Sequence, residues 1–423
     1  MRLVPSLHPG RPAILNTPSV VAIGRFVSLF FSLATVPVVA RALGPDGRGV
    51  SATMLAVITF SQVMLGLGVP LAVRRRAVVM DDLTGVMNSA RLFAALTIVP
   101  ALVMGFLVDL SFFGSETTSS RIAFFIGMAA VPLAVSWATD VSVLVAREQY
   151  LRMAVLGLIQ AATSLVCVVS FWLAGGLDVA SVLYANLAGS VLTFVVGLAW
   201  VRVPLRRHHE FASLLREGAS LTGGQLASVA SGRLDQVLVL GALGSTSAGL
   251  YSVAVTIGTL PLPIAQAVGA GAYPKFANGD REATTSAMRH CAALGIVAAL
   301  LLAMVSPFLI PILFGHEFAG AVGATLVSVL ASVSVGIAFV TSMALAGARM
   351  GNRMTAAQTV GLAVGLALLT PLAMLWGVVG AAVAMLLGTV TTTTISLHFL
   401  RLNPFSIFPR PVDWAGAIRF LVR

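Results

Sequence analysis

Apolar residues along this chain fall in long blocks separated by short polar breaks, not in the two-residue alternation of a half-buried strand. A helix needs about 20 residues to cross about 30 Å of hydrocarbon. Twelve such blocks are present, at 19–40, 50–71, 91–113, 122–145, 153–174, 179–201, 218–241, 248–271, 290–313, 321–346, 354–374 and 378–400. The pattern predicts an all-α, polytopic membrane protein of about twelve transmembrane helices. No connection is long enough to fold alone; the longest, Arg202 to Glu217, is basic and contains Arg206, Arg207, His208, His209 and Arg216.

Composition agrees. Of the 423 residues, 58% are hydrophobic and only 10% are charged, against about 25% charged in an ordinary soluble chain. Soluble enzymes, nucleic-acid binders and disordered proteins are disfavoured together. The net charge of +11 is explained by position: with the N-terminus inside, 21 of the 26 Lys and Arg residues face the cytoplasm. Arg41, Arg48 and Arg121 fall outside and Arg25 and Arg233 fall within spans, the asymmetry that the positive-inside rule requires. Both termini are then cytoplasmic, Met1 to Pro18 reads as a lead-in to the first span, and no nucleic-acid partner is expected. Cys167 and Cys291 have neither metal spacing nor a sign of pairing, so no metal is expected. No catalytic constellation or phosphate-binding Gly-Lys-Ser/Thr loop is present, so the chain does not read as an enzyme and no cofactor is expected.

The blocks repeat. The stretch ALGPDGRG (Ala42 to Gly49) returns as ALGSTSAG (Ala242 to Gly249), 200 residues later. Arg25, Ser28, Ser32 and Thr35 share one face of the first span, and Gln225, Ser228, Gly232 and Asp235 take the same positions in the seventh. Arg152-Met153 and Arg353-Met354 match at an offset of 201. A duplicated unit with an even number of spans keeps its orientation, so the halves should be related by a pseudo-two-fold axis along the membrane normal. The expected division is a first six-helix lobe (1–201), a basic cytoplasmic linker (202–217), a second six-helix lobe (218–400) and a cytoplasmic tail (401–423). Trp414, Ile418 and Leu421 share a face in that tail, which suits a short interfacial helix or a frayed end equally.

ARALGPDGRG (Ala40 to Gly49), LGLGVP (Leu65 to Pro70) and above all RLDQVLVLGALGSTSAGLYSVA (Arg233 to Ala254) resemble the polysaccharide (O-antigen) flippases of the multidrug, oligosaccharidyl-lipid and polysaccharide exporter superfamily. The resemblance covers nearly the whole chain. It implies two six-helix lobes in a V, and export of an oligosaccharide on a polyprenyl pyrophosphate across the bacterial inner membrane by alternating access. It also implies membrane lipid, a polysaccharide polymerase and glycosyltransferases as partners. Relatives that flip the peptidoglycan precursor typically have fourteen spans and several cavity arginines, more than are counted here. The drug and cation antiporters often carry an acid in the first lobe, where this chain has Arg25, so an anionic cargo is favoured. An antiporter and a non-transporting scaffold of a polysaccharide synthesis complex remain as alternatives.

The candidate residues follow from that reading. Arg25 is a pyrophosphate contact or a snorkelling arginine at the inner interface. Arg233 lies nearer the midplane and binds the cargo or pairs across helices, with Asp140 as one partner. Asp235 is a coupling site for Na+ or H+, or a structural partner; Asp140 reads as interfacial. Ser28, Ser32 and Ser228 line a cavity or pack helices closely. Gln225, Gln266 and Asn186 bind sugar hydroxyls or bridge helices. Pro261 and Pro263 remove backbone donors and should kink the eighth span.

Overall fold

A computed structural model describes residues 18–80, 82–203 and 211–410. The N-terminal lead-in, His208 and His209 of the linker, and the tail face of Trp414, Ile418 and Leu421 lie outside them, as do the side chains of Arg25, Gln225 and Ser228.

The described residues are nearly all helical, with no strand among them. In chain order the helices are α1 (Pro18–Gly66), α2 (Val69–Val79), α3 (Thr84–Leu96), α4 (Ile98–Val108), α5 (Thr118–Ala129), α6 (Val131–Ala146), α7 (Tyr150–Leu173) and α8 (Val179–Trp200). The second half adds α9 (Phe211–Ser231), α10 (Leu234–Gly258), α11 (Leu262–Ala277), α12 (Arg281–Phe314), α13 (Ala321–Gly347) and α14 (Gly351–Leu400). Helices and spans correspond once the turns are read. α1, α10 and α14 each run through a non-helical residue, at Gly44, Gly244 and Gly377, and so each serves two spans. Pairs such as α3 with α4 and α5 with α6 make up single spans interrupted near Thr97 and Ala130. Every block read from the sequence lies on a helix, giving twelve spans in two sets of six. α9 begins at Phe211, so the end of the segment read as a linker is helical.

The repeat is visible in the backbone. Gly44 (φ 64°, ψ −176°) and Gly244 (φ 81°, ψ −179°) take the same conformation 200 residues apart, in a region that essentially only glycine occupies. The turns entering the fifth and eleventh spans also match. Glu148 and Arg349 have φ of 56° and 59°. Gln149 N donates to the Leu144 carbonyl at 2.8 Å, and Met350 N donates to the Leu345 carbonyl at 2.8 Å. Arg152 then lies 5.9 Å over the Trp200 ring and Arg353 lies 5.7 Å over the Phe399 ring.

Lipid supplies no hydrophobic drive between helices, so close approach at small residues does the work. A Cβ on Gly24 would lie 2.6 Å from Ala154 Cβ, where α1 meets α7, and one on Gly223 would lie 3.2 Å from Thr355, where α9 meets α14. Large apolar side chains point outward instead: Leu173, Phe308 and Met374 are each more than 70% exposed, as a lipid-facing surface requires.

Candidate functional site

The two halves meet at opposite ends of their spans. At one end the equivalent turns pack backbone against backbone. A Cβ on Gly49 would come 2.0 Å from the Ser245 carbonyl oxygen, and one on Gly249 would come 1.9 Å from the Pro45 carbonyl oxygen. Residues 45 and 245, and 49 and 249, exchange places across this contact, as a two-fold axis passing between the turns demands. Asp46 joins the turns further, accepting from Ser245 Oγ at 2.8 Å and from Thr246 Oγ1 at 2.5 Å. Those hydroxyls hold the Asp46 carboxyl below its ordinary value of 3.8. Glu116, in the nearby turn before α5, is raised above 4.5 by burial first and by Asp46 second. Arg41 clamps the same end to the second half by donating to the Leu313 carbonyl at 2.9 Å and to the Ile312 carbonyl.

The other contact lies at the far end of the second span, where α2 meets α9. A Cβ on Gly68 would come 2.4 Å from the Gly218 carbonyl oxygen, and one on Gly218 would come 2.6 Å from that of Leu67. Leu67 and Gly68 both have positive φ, 42° and 61°, which ends α1 and redirects the chain into α2. Arg76 Nε then pairs with Glu217 Oε2 at 2.9 Å, its Nη2 donates to Ser213 Oγ at 3.1 Å, and Arg75 approaches Glu217 Oε1 at 3.7 Å.

Between these ends the seventh span is broken. α9 stops at Ser231 and α10 starts at Leu234, with Arg233 at φ −135° in the gap. The continuous face from Gln225 to Asp235 expected from helical spacing is therefore interrupted by a turn, whereas α1 runs unbroken through Arg25, Ser28, Ser32 and Thr35. Asp235 sits fully buried in the first turn of α10, where an acid suits the helix dipole. Its oxygens are taken by Tyr251 Oη at 2.8 Å and by Gln236 N at 2.8 Å. No ion pair joins it to Arg233 among the described residues.

Asp140 is fully buried within the protein and takes part in a salt bridge, its partner being Arg91 of α3 at 3.3 Å and not Arg233. Arg91 Nη2 also donates to the Val201 carbonyl at 2.9 Å, so this pair ties the third, fourth and sixth spans together within the first half. Ser28 faces Gly157 of α7, close to the Gly24 and Ala154 contact, which is the small-residue packing arrangement. Ser32 is exposed and Gln266 half-buried. The eighth span breaks between Gly258 and Leu262, as Pro261 and Pro263 demanded. Tyr251, Arg91 and the Arg76–Glu217 pair were missed by sequence reading. Only the position of Tyr251, just past the repeated loop, signalled anything.

The profile of a family described as polysaccharide biosynthesis protein matches residues 16–280. Comparison with curated protein sequences finds no match. Among solved structures, the lipid II flippase MurJ in its inward closed conformation superposes with a TM-score of 0.78 at 16% identity, over 96% of this chain and 92% of that one. An inward-facing multidrug resistance MATE family transporter of the MOP superfamily gives 0.70 at 15% identity, over 94% and 99%. A MOP superfamily transporter from Pyrococcus furiosus gives 0.61 at 15% identity, over 97% and 96%. These likenesses establish a shared fold.

Proposed function

The chain belongs to the polysaccharide biosynthesis protein family, and from that premise we propose that it is a flippase. It carries an oligosaccharide on a polyprenyl pyrophosphate from the cytoplasmic to the outer face of the bacterial inner membrane, by alternating access. Residues 1–201 and 218–400 act as the two lobes, joined by 202–217, with both termini cytoplasmic. The observation that carries the reading is the pair of contacts between the halves. One, at the repeated glycine turns, is backbone on backbone; the other, between α2 and α9, is bridged by Arg75, Arg76 and Glu217. Two such contacts at opposite ends suit a molecule that opens one end while the other stays shut.

Arg233 supports an anionic cargo. It lies at a helix break, where unwound backbone is available to an anion, and although Asp235 acts on it through charge, no carboxylate forms an ion pair with it among the described residues. Arg25 completes the path near the cytoplasmic side. Ser32, Gln225, Ser228 and Gln266 are the polar groups offered to sugar hydroxyls. Asp235 is held by Tyr251 inside the second half, which favours a structural role over coupling to Na+ or H+. Each negative charge moved outward across an inside-negative membrane gains about 2.3 kcal/mol per 100 mV, so the potential itself biases export.

The test is the leaflet distribution of polyprenyl-pyrophosphate oligosaccharide in cells depleted of the protein, probed with a membrane-impermeant lectin. Accumulation on the cytoplasmic face, reversed by wild type but not by Arg233→Ala, is the expected result. An unchanged distribution rejects the flippase and leaves the ion-coupled antiporter or the non-transporting scaffold.

A further inference from the structure

At the end of the second half, where α12 begins and α14 ends, a hollow of about 250 Å³ opens within the second set of six spans. Arg281, Arg353 and Arg401 line it, over an apolar floor that includes Phe276, Ala344 and Leu402. A shallower hollow of about 390 Å³ shares Met350 and Arg353 and adds Arg349. No carboxylate lines either one. Of the two acids that flank Arg281 in sequence, Asp280 is occupied in accepting from Ala283 N at 2.9 Å at the start of α12, and Glu282 is exposed in the first turn of α12 and does not line the hollow. Among the described residues none of the three arginines makes an ion pair.

The arginines are placed and not merely crowded. Arg353 is fixed over the Phe399 ring at 5.7 Å, and its Nη1 approaches Met350 Sδ at 3.3 Å. Arg401 has a left-handed backbone, φ 54°, which turns the chain back at the end of α14. The convergence is also not a by-product of the repeat. The first half has Arg152 over Trp200 and Arg202 donating to its own Ala199 carbonyl. Yet the sequence that precedes α3 has Asp81 and Asp82, with no basic residue from Ala77 to Ala90.

We propose that this hollow binds a phosphate-bearing anion, with its oxygens among Arg281, Arg353 and Arg401. Guanidinium groups match phosphate with parallel donors, and three unpaired cations around one space repel each other until an anion enters. The floor of Phe276, Ala344 and Leu402 accepts an apolar portion if the anion has one. The phosphate is therefore supplied by an anionic lipid headgroup from the adjoining leaflet or by free phosphate in the aqueous phase. The site lies entirely within the second half, away from the contacts between the halves.

The experiment uses the full chain in two arms. In the first, detergent-purified protein is exposed to phosphatidylglycerol or phosphatidylcholine and the retained lipid is counted by native mass spectrometry. In the second, inorganic pyrophosphate is titrated against the protein in phosphatidylcholine nanodiscs and the unfolding midpoint is followed. Wild type is compared with the Arg281→Gln, Arg401→Gln double variant and with Arg202→Gln from the first half.

Retention of phosphatidylglycerol that weakens about tenfold in the double variant but not in Arg202→Gln upholds the site and assigns it to lipid. A pyrophosphate-induced rise in the midpoint, lost only in the double variant, upholds it and assigns it to a free anion. Equal lipid retention with no dependence of the pyrophosphate response on these arginines overturns it. Arg281→Gln alone, an exposed first-turn change, repeats the comparison if the double variant does not fold.

Discussion

The two ends at which the halves meet use different physics. At Gly49 and Gly249 the contact is symmetric: equivalent turns exchange equivalent residues, and no Cβ fits on either glycine. At α2 and α9 the partners are unlike, and Arg75 and Arg76 reach across to Glu217 beside the Gly68 and Gly218 approach. Shape dominates the first contact, while charge adds to the second. Shape complementarity is insensitive to salt, whereas partly exposed ion pairs are screened by it. The two contacts between the halves should therefore respond to different perturbations.

Four perturbations test that contrast, in falling order of effect. The largest lies at neither end. Arg91→Ala leaves the fully buried Asp140 without its charge partner, and should cost about 3 kcal/mol or more, read as a lower unfolding midpoint in detergent. If the loss is small, the first half is not held by that pair. Next is Gly249→Ala, which drives a Cβ into the Pro45 carbonyl and should cost about 1–3 kcal/mol. Gly114→Ala, with nothing within 4 Å, should leave the midpoint unchanged. Equal effects would remove the steric basis of the symmetric contact.

Glu217→Gln should cost only about 1 kcal/mol or less, and its difference from wild type should shrink at high salt, in contrast to Gly249→Ala. The smallest effect concerns pH. Asp46 ionises below its ordinary 3.8 because Ser245 and Thr246 donate to it. Its contribution is therefore complete above 3.8 and lost as pH falls through the lowered value. Glu116 is raised above 4.5, so its ionisation at higher pH opposes the contact. Cross-linking yield between the two turns, followed over pH in wild type and Asp46→Asn, checks both signs.

Much of the architecture was legible in the chain. Twelve spans announce themselves because crossing hydrocarbon demands uninterrupted apolar runs. The loop repeat was legible because Gly44 and Gly244 must each adopt a conformation closed to other residues. Even the slight Arg152 and Arg353 match marked an equivalent turn. Side-chain partners were not legible. Asp140 meets Arg91, 49 positions away, through a packing of three spans that no periodicity encodes. The break at Gly232–Arg233 was hidden because an apolar window has the same composition whether or not its helix is continuous. Asp235 was visible as an acid in a span, but its hydrogen bond from Tyr251 depends on how the eighth span folds back.

The central claim is that the two ends open independently. The direct measurement is pulsed electron-spin distance across both ends, in protein whose Cys167 and Cys291 have been replaced. Labels at Val78 and Ala212 report the α2–α9 end, and labels at Ala42 and Ala242 report the glycine turns. The account predicts that adding Glu217→Gln lengthens the first distance while the second stays fixed. Distances that both stay unchanged, or that lengthen together, would contradict it.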